Sequence, residues 1–308
     1  MERKILVAVD GSVYSSNSLD YLIRLFGSNP SISVDLLSII STSGSDQNWM
    51  LDVDPLRENT PATERKICKA VKYLKDAQKR LLRNGFDKER VSFATQTTGG
   101  PAAIAIHQKV YKQGYDALLL GRRGMGVVGE MIFGSVSADL LNRCREVPVW
   151  IIDGEVSSNN YLLGVHGIIE SLLAADHLAF MVNKSPNAKI YLYHSGAFLQ
   201  KGVKVIREDF EMLWGKEWCE KYLDLDNDLI GAHLRLLVES GVEEERIIQL
   251  PTCSDFDPSH DLLRQARKHR CGTIVIGRRG RDVAKGMFKG VSHRTIQQAE
   301  NVAVWLVG

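Results

Sequence analysis

Short apolar runs alternate along this chain with longer stretches of helical spacing, and the whole alternation happens twice. In the first half the runs at 4–9, 32–40, 90–95, 117–121 and 148–152 are rich in Val, Ile and Leu and bounded by Gly, Pro, Ser or Asp, which predicts buried strands. Between them, 15–27, 64–84, 101–113 and 136–144 have helical spacing; in the second of these, Ile67, Val71, Leu74, Leu81 and Leu82 share one side. The second half predicts strands near 161–166, 189–194, 246–251, 273–277 and 302–307. Strand alternating with helix predicts an α/β fold, with parallel strands joined by right-handed crossovers and helices on both faces.

The repetition reaches the level of words. ALLLGRRG (117–124) returns as TIVIGRRG (273–280), and VPVWIID (147–153) returns as VAVWLVG (302–308). The offsets are 277 − 121 = 156 and 305 − 150 = 155, so the copies are domains, 1–154 and 160–308, and not solenoid repeats. They differ after the second strand. The first copy has a polar segment, Ser41 to Thr63, that reads as a loop or lid. The second has a helical stretch at 203–240, in which Phe210, Trp214, Trp218 and Tyr222, four apart, predict a stripe on one helix face. Such a stripe serves either packing or a partner or apolar-ligand surface.

With 308 residues, 44% hydrophobic and 25% charged, each half is large enough for its own core. A net charge of +2 gives no sign of a strong nucleic-acid or membrane field, and the cluster Arg264, Arg267, Lys268 and Arg270 reads as a solvated helix end, so no nucleic-acid partner is expected. Five scattered cysteines without a CxxC suit free thiols in a reducing compartment. Met1-Glu-Arg-Lys4 leads straight into a strand, and no apolar run approaches the roughly 18 residues of a membrane span. A cytoplasmic protein without membrane attachment is expected.

Candidate chemistry lies behind the fourth strand, where Gly121-Arg122-Arg123-Gly124 is followed by nine residues and then Gly134-Ser135. Glycines permit close backbone approach, and a Gly-Ser pair opening a helix points free N–H groups and a hydroxyl at an anion. Asp10 closes the first strand. In an open parallel sheet, ligands bind outside the carboxyl ends of the strands where strand order reverses. If the first and fourth strands are neighbours there, Asp10 faces the glycine loop and can accept hydrogen bonds from ribose hydroxyls or an adenine amino group. The other reading of Asp10-Gly11-Ser12 is a turn that caps the next helix.

With KILVAVDGS at the start, G-x2-G-x9-G-[ST] at 121–135 and the closing PVWII strand at 148–152, the chain resembles a tandem universal stress protein. The resemblance implies two tandem doubly wound, open, parallel five-stranded sheets, Rossmann-like and adenine nucleotide alpha hydrolase-like. It further implies a pseudo-dimer packed through the last strands, 148–152 and 302–307, which would cover two sheet edges. The cofactor implied is ATP, with Mg2+ left open. Asp10 and the backbone of Ala8 and Val9 would meet adenine and ribose, and Ile39 would pack against the base. Gly121 and Gly124 would admit ribose and phosphates, Gly134, Ser135 and Val136 would bind phosphates, and Arg122 and Arg123 would add charge. The role implied is regulatory or protective in the cellular stress response, through conformation or an unknown protein partner; a homodimer is left open.

The second copy departs from the motif. His166 stands in the place of Asp10, and Phe133-Gly-Ser-Val-Ser137 becomes Phe288-Lys-Gly-Val-Ser292, with Val291 following Gly290 where Ser135 follows Gly134. One competent nucleotide site and one degenerate copy are expected.

Other functions compete. Gly124-Met-Gly126-Val-Val-Gly129 with Asp153 imitates a dinucleotide fingerprint, but the helix is expected only at Ser135. No SGGxDS-like segment follows the first strand and no GxxxxGK[ST] occurs, which argues against adenylating and P-loop enzymes. No evident general base or metal cluster supports efficient turnover, so at most slow ATP hydrolysis is expected. His166, His194 and Cys253, each at a strand end of the second copy, form a candidate metal constellation. The alternative function is a nucleotide-independent stress or scaffold protein that acts through partner binding.

Overall fold

The computed structural model describes residues 2–27, 29–42, 61–122, 135–183, 185, 188–196, 206–224, 228–253, 257–278 and 290–308. The chain divides into two compact units, Met1–Val147 and Pro148–Gly308.

The first unit runs β1 (Arg3–Ala8), α1 (Val13–Phe26), β2 (Ile32–Ser41), α2 (Pro61–Arg83), β3 (Val91–Thr98), α3 (Ala102–Gln113), β4 (Ala117–Gly121) and α4 (Ser135–Arg143). The strands are parallel in the order β3-β2-β1-β4. β1 is interior, with Ile5, Leu6 and Val7 fully buried, which is why its sequence is an unbroken apolar run with no polar alternation. α1 packs with α2 and α3 with α4. The chain steps outward from β1 to β2 to β3 and then crosses back to place β4 on the other side of β1. Strand order therefore reverses between β1 and β4.

The second unit runs β5 (Val149–Ile152), β6 (Asn160–Gly164), α5 (Ile169–Val182), β7 (Ile190–Tyr193), α6 (Arg207–Trp214), α7 (Lys216–Tyr222), α8 (Leu229–Glu239), β8 (Ile247–Gln249), α9 (Pro258–Lys268), β9 (Cys271–Gly277), α10 (Val291–Gln298) and β10 (Ala303–Val307). Its order is β5-β10-β9-β6-β7-β8, and β5 alone is antiparallel to its neighbour. The sequence groups β5 with the first copy, whereas its contacts place it in the second unit. The physical reason is aromatic burial. Trp150 sits directly opposite Trp305, their rings stack at 3.9 Å and 2°, and Trp150 Nε1 donates to His177 Nε2 at 3.1 Å.

Among its described residues, the helical stretch expected at 203–240 forms three helices. Gly215, at φ 81° and ψ 152°, separates α6 from α7 in a conformation that side chains disfavour. The aromatic stripe survives the break, with successive centroid distances of 6.1, 6.2 and 5.5 Å from Phe210 through Trp214 and Trp218 to Tyr222. Trp218 Nε1 donates to Glu239 at 2.8 Å, and the Arg235 guanidinium lies 4.9 Å from the centre of the Tyr222 ring, so the α7 end of the stripe is packed against α8. None of the five cysteines forms a disulfide. No described helix is long and apolar enough to cross a membrane.

Candidate functional site

The strand reversal in the first unit brings Asp10 and Gly121 to one crevice mouth. β1 and β4 are paired through Ile5–Ala117, Leu6–Leu118 and Val7–Leu119, so the register carried two residues on sets Val9 beside Gly121. Ala8 is opposite Leu37, which brings Asp10 level with Ile39 on β2. Val9 is buried and its N–H donates to Leu37 O at 2.8 Å, while Ala8, Asp10 and Ile39 are half-buried. Three residues far apart in sequence thus converge on the carboxyl edge of the sheet because the strands are parallel and in register.

The turn after β1 is tightly specified. Asp10 Oδ1 accepts from Ser12 N at 3.0 Å, and Ser12 Oγ caps α1 by accepting from Ser15 N at 3.3 Å. Asp10 therefore shapes the turn, but the helix cap expected of it belongs to Ser12. Gly11 has φ +78°, and a Cβ on it would lie 2.8 Å from the Tyr73 ring of α2. Tyr73 is bound in turn to Ser38 Oγ at 2.6 Å. Burial, and secondarily the Asp10 charge, raise the Tyr73 phenol above its ordinary value against that hydrogen bond. Sequence reasoning passed over Tyr73 and Ser38. One aromatic on an amphipathic helix and one serine in a strand carry no pattern, and only tertiary contact links them to Asp10.

On the opposite lip, Ser137 Oγ donates to Gly121 O at 2.9 Å and ties the first turn of α4 to the end of β4. Ser135 and Val136, the first two residues of α4, are exposed, and the first N–H groups of a helix have no partner within the helix itself. Ser137 was also missed, although the repeated Val-Ser of 136–137 and 291–292 held the signal. Gly121 has its own packing reason, since a Cβ there would meet the Tyr14 backbone at 3.1 Å. Arg122 is 4% exposed and forms part of the packed framework. Arg123, Gly124 and Gly134 lie outside the described residues, as does 43–60, most of the expected lid.

The corresponding edge of the second unit is built from other chemistry. His166 N donates to Ser171 Oγ at 2.8 Å, and that hydroxyl lies 2.9 Å from His233 Nε2, whose ring is fixed by Nδ1 donating to Leu229 O at 2.7 Å. Burial first, and then the nearby His194, push the His233 pKa down to about 4 although two hydrogen bonds oppose the shift. The His166 and His194 rings meet edge-on at 6.4 Å. Cys253 is turned elsewhere, with Gln265 Nε2 at 3.8 Å from its sulfur. Among the described residues no three His, Cys, Asp or Glu side chains gather as a metal site, so the constellation of His166, His194 and Cys253 does not form one. Gly277 repeats the packing role of Gly121 more tightly, with a Cβ position 2.4 Å from Glu170 C and 2.5 Å from Ser171 N. Arg278, the counterpart of Arg122, donates through Nε and Nη2 to Gly308 O at 3.3 and 3.2 Å.

Comparison with known proteins agrees with this geometry. The model of the universal stress protein family matches residues 1–153. A universal stress protein from Archaeoglobus fulgidus is similar in fold over 99% of this chain and 97% of its own, with a TM-score of 0.68 and 17% identity. A putative universal stress protein from Pseudomonas aeruginosa covers 99% of this chain and 93% of its own, with a TM-score of 0.57 and 14% identity. No curated protein matches the chain.

Proposed function

We propose, from the premise that residues 1–153 form a universal stress protein domain, that this domain binds one adenine nucleotide, ATP, and that occupancy is the signal the protein passes on in a stress response. The observation that carries this reading is the meeting of Asp10, Gly121 and the N-terminal turn of α4 at the point where strand order reverses. Asp10 offers a carboxylate to ribose hydroxyls or the adenine amino group, and Ile39 offers an apolar wall to the base. Ser135, Val136 and the backbone of the first turn of α4 suit the phosphates, together with Gly124 and Gly134. Mg2+ would accompany the phosphates as their counter-ion.

The second unit lacks this set. Its His166 faces His194 and lies beside a neutral, buried His233, which removes the acceptor for ribose. The test is the nucleotide content of freshly purified, denatured protein, measured by mass spectrometry for the full chain and for Asp10→Ala. One adenine nucleotide per chain, lost from Asp10→Ala, is the expected result. Two per chain would refute the asymmetry, and none after incubation with Mg-ATP would move the protein to the nucleotide-independent class.

A further inference from the structure

The net charge of +2, which argued against a nucleic-acid partner, is an average over an uneven molecule. Helix α2 holds eight Lys or Arg and two Asp or Glu, a net 8 − 2 = +6, and the remainder of the chain therefore carries 2 − 6 = −4. The excess is also oriented. Arg65, Lys69, Lys72, Lys79 and Arg83 fall within an arc of about 80° at the helical repeat, opposite the buried Thr63, Ala70, Leu74, Ala77 and Leu81. Lys66 and Lys75 flank this row, one on each side, and all seven side chains are exposed. The row runs the length of a 23-residue helix, about 34 Å.

An ordinary solvated helix balances lysines with carboxylates three or four residues away. Here Lys66, Lys69, Lys72 and Lys75 follow one another at three-residue spacing, where like charges repel and destabilise the helix by a few tenths of a kcal/mol per pair. Lys69 and Lys72 make no ion pair among the described residues, and Lys79 reaches Asp76 only at 3.9 Å. A row of cations that runs along a 23-residue helix suits the extended charge of a polynucleotide better than a single small anion. No aromatic side chain is exposed on α2, so stacking on unpaired bases has no platform. One helix with cations on its crest and both flanks fits the roughly 12 Å major groove of B-form DNA, whose phosphates border it on two sides, and not the deep, narrow groove of A-form RNA.

We propose that the outward face of α2 docks on the phosphate backbone of B-form DNA without reading base sequence.

The test is fluorescence anisotropy of the full chain with a labelled DNA duplex of about 30 base pairs, titrated from about 50 to 200 mM salt. The comparison variants are Lys69→Gln/Lys72→Gln/Lys79→Gln and the same three positions changed to Arg. Glutamine keeps helix propensity, and circular dichroism checks folding. Binding with a log–log salt slope steeper than about −3 is expected, insensitive to base sequence. The glutamine variant should lose about 2 to 3 from that slope and bind at least about tenfold more weakly, while the arginine variant keeps both. Absence of duplex binding at the lowest salt, or an unchanged slope in the folded glutamine variant, overturns the proposal. So does tighter binding to single-stranded DNA, to duplex RNA, or to vesicles of phosphatidylserine and phosphatidylcholine; the last result would assign the surface to a membrane.

Discussion

At the scale of single residues, glycines that look equivalent in sequence are held by different constraints. Gly121 and Gly277 both end a strand before Arg-Arg-Gly, yet a Cβ on Gly277 falls 2.4 to 2.5 Å from the Glu170–Ser171 backbone, against 3.1 Å from Tyr14 for Gly121. Gly277→Ala is expected to cost about 1–3 kcal/mol, and Gly121→Ala less, because both contacts are with backbone but the overlap at Gly277 is much the deeper. Urea unfolding of the two variants checks the order; equal midpoints would mean that the helix shifts freely. Gly11 adds a positive φ to its contact with Tyr73, so its restriction is conformational as well as steric. None of this distinction is visible in the repeated words GRRG, which record only that glycine is present twice.

At the scale of elements, α5 and α8 each hold a buried histidine. Burial brings the His177 pKa down to about 3 and that of His233 down to about 4. An unfolded histidine takes up a proton near pH 6.5, so below that pH the unfolded state binds protons that the folded state refuses. The stability due to these groups is complete above about 6.5 and is lost as pH falls toward 4 and then 3. Urea midpoints measured between pH 7.5 and 4.5 should fall, and His177→Gln, which can still accept from Trp150, should fall less steeply. A variant with the same slope would remove His177 from the acid response. Periodicity marked both helices but gave no sign of the histidines' neutrality, which depends on the depth at which the helices pack.

At the scale of the whole molecule, β5 belongs by sequence to the first copy and by packing to the compact unit Pro148–Gly308. Its apolar run closes the first copy, yet Trp150 stacks on Trp305 and bonds His177 in the second unit. A fragment 148–308 is therefore expected to melt cooperatively, whereas 155–308 loses a buried aromatic partner, a change of the order of 3–5 kcal/mol for a core tryptophan. Thermal circular dichroism compares the two, and equal melting temperatures would return β5 to the first unit. The sequence alone determined the α/β class, the strands and the helices of the first copy to within a few residues, the internal repeat and the glycine motif, because periodicity and glycine placement are local properties. It also predicted the meeting of Asp10 with Gly121, once parallel crossovers were assumed. Tertiary structure decided what depends on distance between remote residues. Tyr73 and Ser38 brace the Asp10 turn, Ser137 anchors α4, and Arg122 is packed instead of solvated. It also broke at Gly215 the helix that carries the aromatic stripe, and among the described residues it left His166, His194 and Cys253 without the geometry of a metal site. Partner choice for a buried polar or aromatic group is set by whichever strand or helix arrives beside it, and that is fixed only when the sheet is assembled.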